Sequence, residues 1–248
     1  MEHFEIIIFF FAIAFIYSSV GFGGGSSYLA ILAVYELPFK EMRLIALICN
    51  IIVVTGGMII FIKHKHINWR KILPLVLISV PLAFLGASLK LKQDTFFILL
   101  GISLIIAAIL LWINTKREIL NEEIQDSNII KDGAIGGAIG FLSGMVGIGG
   151  GIFLSPLLNL MKWDTAKKIA AAASVFIFVN SLSGIAGQLS NFNHQFNTTR
   201  IILLSVAVLA GGQLGSRISA IQFDHKIIKR MTAILVLAAG IEVLVKHV

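Results

Sequence analysis

The chain has 248 residues, of which 57% are hydrophobic and only 13% charged, and its mean hydropathy is +0.93. That balance excludes a soluble domain and points to a membrane protein of several spans. The net charge of +7 does not point to nucleic acid, because the Lys and Arg residues sit in short connections between apolar runs.

In chain order, the first 20 residues read as part of the fold rather than as a cleaved signal, since Glu2 and Glu5, not Lys or Arg, precede their apolar core. The stretch GFGGGSSYLAIL at 21–32 then interrupts helix with three consecutive glycines. Apolar runs long enough to cross a bilayer follow at 44–62, 72–89, 95–115 and 169–193, with a shorter one at 201–216. The last, 231–245, carries Glu242 near its end, where the carboxylate reaches the interface. Cys49, the one cysteine, excludes an internal disulfide and reads as a packing residue.

The second half repeats the first. GFGGGSSYLAIL is answered by GIGGGIFLSPLL at 147–158, and Asn50 falls opposite Asn180. The segment beginning at Asn68 parallels the one beginning at Asn197, with Gly86 opposite Gly215, and Asp94 and Asp224 open the last run of each copy. This divides the chain into a first repeat at 1–113, a polar linker at 114–131 and a second repeat at 132–248 within one membrane domain. Internal repeats of this kind are the usual build of secondary transporters.

The positive charges decide between parallel and inverted repeats. Four simple spans per half would spread the 20 Lys and Arg residues almost evenly over both faces. If the first element of each half enters and returns to the same face, one face holds Lys40, Arg43, Lys90, Lys92, Arg200 and Lys246 and the other holds the remaining 14. The second distribution is the one that the positive-inside rule expects. The expected fold is therefore all-α: a polytopic membrane protein of two inverted repeats, each a re-entrant or broken hairpin (about 4–36 and 132–162) followed by three transmembrane helices. The expected location is the cell inner membrane with both termini outside and the 114–131 linker in the cytoplasm.

Helical pieces of about 13–17 residues flanking each glycine run span only about 20–25 Å, which puts both turns within the depth of the membrane. Irregular backbone is tolerated there where it is buried in protein or lines a wet cavity. Helices starting near Ser26 and Ile152 would present unpaired N–H groups and the positive end of the helix dipole, a ready anion site. Two such termini contribute only about 0.3–2 kcal/mol each, short of the several kcal/mol that desolvating a charge costs, so further donors are needed. The candidate binding residues are Gly23, Gly24, Gly25, Ser26, Ser27 and Asn50 in the first half. In the second they are Gly149, Gly150, Gly151 and Asn180, with Gln213 and Gln188 as weaker candidates.

Bland readings compete with this one. Glycines at GxxxG-like spacing, as at Gly133 with Gly137 and Gly140 with Gly144, serve close helix packing, and Asn50 and Asn180 could join helices. Ser155 and Ser174 are expected to bond within their own helices, and Arg217 to anchor at the interface. GFGGGS lacks the lysine and preceding strand of a nucleotide loop. His64, His66 and His194 lie in polar connections without Cys or acidic partners at ligand spacing, so neither a metal nor any other cofactor is expected.

The paired GxGGG turns, the block GMVGIGGGIFLSPLL and the following AAAASVFIFVNSLSG resemble the TauE/SafE family of membrane proteins, also described as sulfite exporters, over essentially the whole chain. The resemblance implies an inner-membrane transporter of anions such as sulfite, sulfoacetate or other sulfur-containing or organic anions. In the first half two serines follow the glycines and no proline matches Pro156, so the half-sites are expected to be chemically unequal. The expected partners are a small anion, the lipid bilayer and a second copy of the chain. Two alternatives remain open: a transporter of another solute or a cation through the same broken helices, and a membrane subunit that transports nothing. An intramembrane enzyme is not expected, because no apolar segment holds His, Asp or paired acids in mid-span.

Overall fold

The computed structural model describes residues 4–18, 22–116, 128–190, 196–218 and 225–247, which form ten helices and no strand. The first half holds α1 (Glu5–Ser18), α2 (Gly25–Val34), α3 (Phe39–Lys63), α4 (Trp69–Ser88) and α5 (Gln93–Lys116). The second holds α6 (Ile129–Val146), α7 (Gly151–Leu160), α8 (Ala166–Leu189), α9 (Thr198–Ile218) and α10 (His225–His247). Of these, α3, α4, α5, α6, α8 and α9 are long and apolar enough to cross a bilayer. At 18 residues, α6 is longer than the short piece expected before the second glycine run, because its polar start, capped by Asn128, prolongs it. The linker residues 117–127 and His194 lie outside the described residues.

Both short helices end alike. Glu36 and Lys162 adopt positive φ, and the chain closes with Leu37 N donating to Leu32 O and Trp163 N to Leu158 O. This closure takes up carbonyls that the last turn leaves free. At the end of α2 the chain is back where α1 began: the Tyr35 hydroxyl donates to Glu5 Oε2 at 3.0 Å. The pair α1–α2 is thus a hairpin with its glycine turn at the far end.

Glycine sets the closest helix contacts. On α6, Gly136, Gly140 and Gly144 lie on the main chain of Leu75, Ser79 and Ala83 of α4, and on α9 Gly211 and Gly215 lie on Phe11 and Phe15 of α1. A Cβ at any of these five would come within 3 Å of its neighbour's backbone. These contacts fulfil the packing reading of the GxxxG-like spacing. Numbers rise together in both pairs, so α4 and α6 run the same way, as do α1 and α9. In α3 and α8 they oppose, Lys40 meeting Gln188 and Leu47 meeting Gly184. The pair α5 and α10 opposes likewise, with Gly101 beside Leu244 and Ile105 beside Gly240.

Other neighbours come in exchanged pairs: α4 on α8 and α3 on α9, α2 on α3 and α7 on α8, and α2 on α10 and α7 on α5. Ion pairs gather at the two ends of the bundle. Arg200 reaches Glu41 at 3.0 Å and Lys246 reaches Glu36 at 2.9 Å at the end where α3 begins. At the other end Asp164 holds Lys71 at 3.6 Å and Lys168 at 3.3 Å.

Candidate functional site

The two glycine runs start the two short helices. Gly24 (φ +86°) precedes α2 and Gly150 (φ +81°) precedes α7, with Gly147 (φ +86°) and Gly149 (φ +83°) also left-handed. An L side chain in that region costs about 1–2 kcal/mol, which is why glycine stands at these turns. Helix starts fall at Gly25 and Gly151, one residue before the expected Ser26 and Ile152. No side chain caps either start. By contrast α6 begins with Asn128 Oδ1 accepting from Ile130 N and Lys131 N. Since Gly23–Gly25 and Gly149–Gly151 are buried, the amides of these two starts have no bulk water to turn to.

Asn50, fully buried on α3, lies between the turns. Its Nδ2 donates to the Ile148 carbonyl at 2.8 Å, so a side chain of the first half holds the turn of the second. A Cβ on Gly23, Gly25 or Gly149 would strike the Asn50 amide, and one on Gly25 would also lie 2.6 Å from Ile148 O. The amino terminus of α2 and the second glycine turn are therefore in direct contact. Around them stand buried polar atoms with no hydrogen-bond partner: Asn50 Oδ1, Ser26 Oγ, Tyr28 Oη, Ser143 Oγ and Ser181 Oγ. Tyr28 abuts Gly24, Ser143 abuts Gly150 and Ser181 abuts Gly149. Each buried polar group left unpaired costs about 1–3 kcal/mol, a cost that a ligand or water bonded there would offset. The side chains nearest the turns include no carboxylate.

Not every expected donor is found there. Ser27 is buried, but its hydroxyl is shared with Tyr17 at 2.6 Å. Asn180 is also buried, yet its Nδ2 is committed to Ser79 Oγ (3.0 Å) and to Phe176 O (2.8 Å), between α8 and α4. Gln213 lies against Gly56 of α3, away from the contacts of the glycine turns. Gln188 Nε2 donates to Lys40 O at the end of the bundle. The repeat alignment that set Asn50 opposite Asn180 shifts in three dimensions: α3 starts at Phe39 and α8 at Ala166, so the twelfth residue is Asn50 in one and Ile177 in the other. Gly23 and Gly149 are each flanked by both Asn50 and Ile177. The second half thus offers an isobutyl-sized hydrocarbon where the first offers an amide.

Tyr28, Ser143 and Ser181 were not anticipated. Hydroxyls in apolar helices usually bond to their own backbone, as Ser174 does to Ala170 O, and only the spatial meeting of four helices sets these three apart. Among the described residues no group of His, Cys, Asp and Glu is placed to hold a metal ion. Cys49 is free and buried, as packing requires.

Comparison with known proteins bears on this arrangement. The sulfite exporter TauE/SafE family matches residues 6–243. The chain belongs to that family. A curated relative in Sinorhizobium fredii, the probable membrane transporter protein y4hK, is 30% identical over 98% of both chains. The probable membrane transporter protein YunE of Bacillus subtilis is 26% identical over 75% of each chain. The probable membrane transporter protein MJ0441 of Methanocaldococcus jannaschii is 26% identical over 63% of this chain and 61% of its own length. No solved structure matches at a significant level. The match of a TauE/SafE member extends from α1 to α10 and so includes both glycine turns.

Proposed function

We propose that this membrane transporter is a secondary transporter or facilitator of a small oxyanion, with sulfite or an organosulfonate as the substrate class. The anion binds where the amino terminus of α2 meets the glycine turn that precedes α7. The observation that carries the reading is the convergence of both glycine turns on Asn50, ringed by Ser26, Tyr28, Ser143 and Ser181 with unused hydrogen-bonding atoms. Hydroxyls and backbone amides can replace the water around an anion's oxygens. Without a fixed counter-charge they hold a monoanion loosely enough to release it.

The halves act as inverted repeats about an axis in the membrane plane, with α1–α2 and α6–α7 as hairpins entering from opposite faces. Support comes from the opposed direction of the equivalent helices α3 and α8, and α5 and α10, and from the Tyr35–Glu5 bond that returns the first hairpin to its origin. In this reading both termini, Lys40 and Lys90 lie outside and the connection at 63–69 lies in the cytoplasm of a cell whose inner membrane holds the protein. Thiol labelling from outside in a Cys49→Ala background checks it: Lys92→Cys reacts and Lys65→Cys does not, and the reverse overturns the orientation.

Counterflow in proteoliposomes tests the function. Vesicles preloaded with sulfite, an alkylsulfonate, sulfate or acetate take up labelled sulfite or sulfonate fastest when loaded with the first two. Counterflow with none of the four overturns the reading.

A further inference from the structure

Resting on the anion-transport reading, we infer that a cavity of about 150 Å3 at the end of the bundle where α3 begins is a second anion site, which recruits the oxyanion before it reaches the glycine turns. It is lined by Lys40, Arg43, Lys90, Gln188, Ser88 and Phe39, among other residues, and among the described residues no acidic side chain lines it.

Arg43 is its floor. The side chain is only 3% exposed and has no carboxylate partner among the described residues. One terminal nitrogen, Nη2, donates to Gly144 O at 2.8 Å and to Ala87 O at 3.3 Å, the last turns of α6 and α4. Those carbonyls orient the guanidinium and lend it partial negative charge, but no formal counter-charge, and Nε is left unpartnered. Gln188, also on the cavity lining, is anchored through Nε2 to Lys40 O, and its Oε1 can only accept, so it offers an oxyanion nothing. An Arg43 charge without a counter-charge, flanked by two lysines and by the uncapped start of α3, suits an oxyanion that accepts from the lysine ammonium groups.

The cavity is near the deeper site in the chain's own connectivity. Arg43 lies two turns before Asn50 on α3, and its aliphatic carbons pack on Gly147, the first left-handed glycine of the second turn. A charge-rich mouth leading to a charge-poor interior concentrates anions without trapping them.

The test reads the cavity separately from transport. In a Cys49→Ala background, Leu89→Cys, on the cavity wall and 44% exposed, is labelled with an anionic sulfonatoethyl and a cationic trimethylammonioethyl methanethiosulfonate. The anionic reagent reacts faster by about tenfold relative to its rate on free thiol, ethanesulfonate slows it, and Lys40→Gln/Lys90→Gln removes both effects. In counterflow the same double variant raises KM more than it lowers the maximal rate. A rate ratio near one with no protection by ethanesulfonate overturns the cavity whatever the vesicles do. Protection without any counterflow upholds the cavity as an anion site, removes its recruiting role and overturns the transport reading.

Discussion

The two glycine turns share a left-handed last glycine, Gly24 and Gly150, and differ in chemistry. Both end in a left-handed glycine, start an uncapped ten-residue helix and are buried. Yet the first turn is followed by Ser26, Ser27 and Tyr28 and faces Asn50, while the second is followed by Ile152 and Phe153 and has Ile177 at the place equivalent to Asn50. Both turns keep a left-handed glycine and a free helix start, which glycine supplies without the cost of about 1–2 kcal/mol that an L side chain adds there. The side chains around them differ: the first half contributes Asn50, Ser26 and Tyr28, and the second contributes only the hydroxyls of Ser143 and Ser181.

Four substitutions break or sharpen this contrast. The largest effect is expected for Gly149→Ala, which combines left-handed strain with a collision on Asn50 and Ser181. Together these cost about 2–5 kcal/mol, read as a lower unfolding temperature in detergent and loss of flux. Asn50→Ala removes the one side-chain bond between the first half and the Ile148 turn and strands a buried carbonyl. Counterflow is expected to fall about tenfold or more with membrane insertion intact, on the order of 1–3 kcal/mol. Flux like that of the unaltered chain would dissolve the asymmetry argued here.

Asn180→Ala sharpens the contrast from the other side. Its amide joins α8 to Ser79 rather than to a turn, so the expected result is a stability loss of about 1 kcal/mol with KM close to that of the unaltered chain. A KM raised as far as in Asn50→Ala would return Asn180 to the site. The smallest effect belongs to Arg200→Gln, which opens the partly exposed pair with Glu41. It is expected to change stability by less than about 1 kcal/mol, and less still at high salt.

The long helices, to within about six residues at their ends, and the two glycine turns were legible in the sequence because each is written in one dimension: apolar length and glycine clusters. The turns themselves were located to within one residue. The register of α8 was not. Matching Asn to Asn is the natural alignment of two strings, whereas the fold counts from helix starts and arrives at Ile177. Arg43 reads in sequence as one more boundary cation, since nothing local tells that the ends of α4 and α6 close over it. The same holds for Ser143 and Ser181, whose hydroxyls become conspicuous only where neighbouring backbone leaves them unanswered.

The glycine seams carry a consequence for how the chain is made. Gly211 and Gly215 of α9 receive Phe11 and Phe15 of α1, so the opening helix finds its mate about two hundred residues downstream. At a synthesis speed of roughly 5–20 residues per second, α1 waits about 10–40 s beside the translocon before α9 emerges. Its backbone groove stays uncovered meanwhile. A product truncated before α9 would leave that backbone seam of its first helix without its partner.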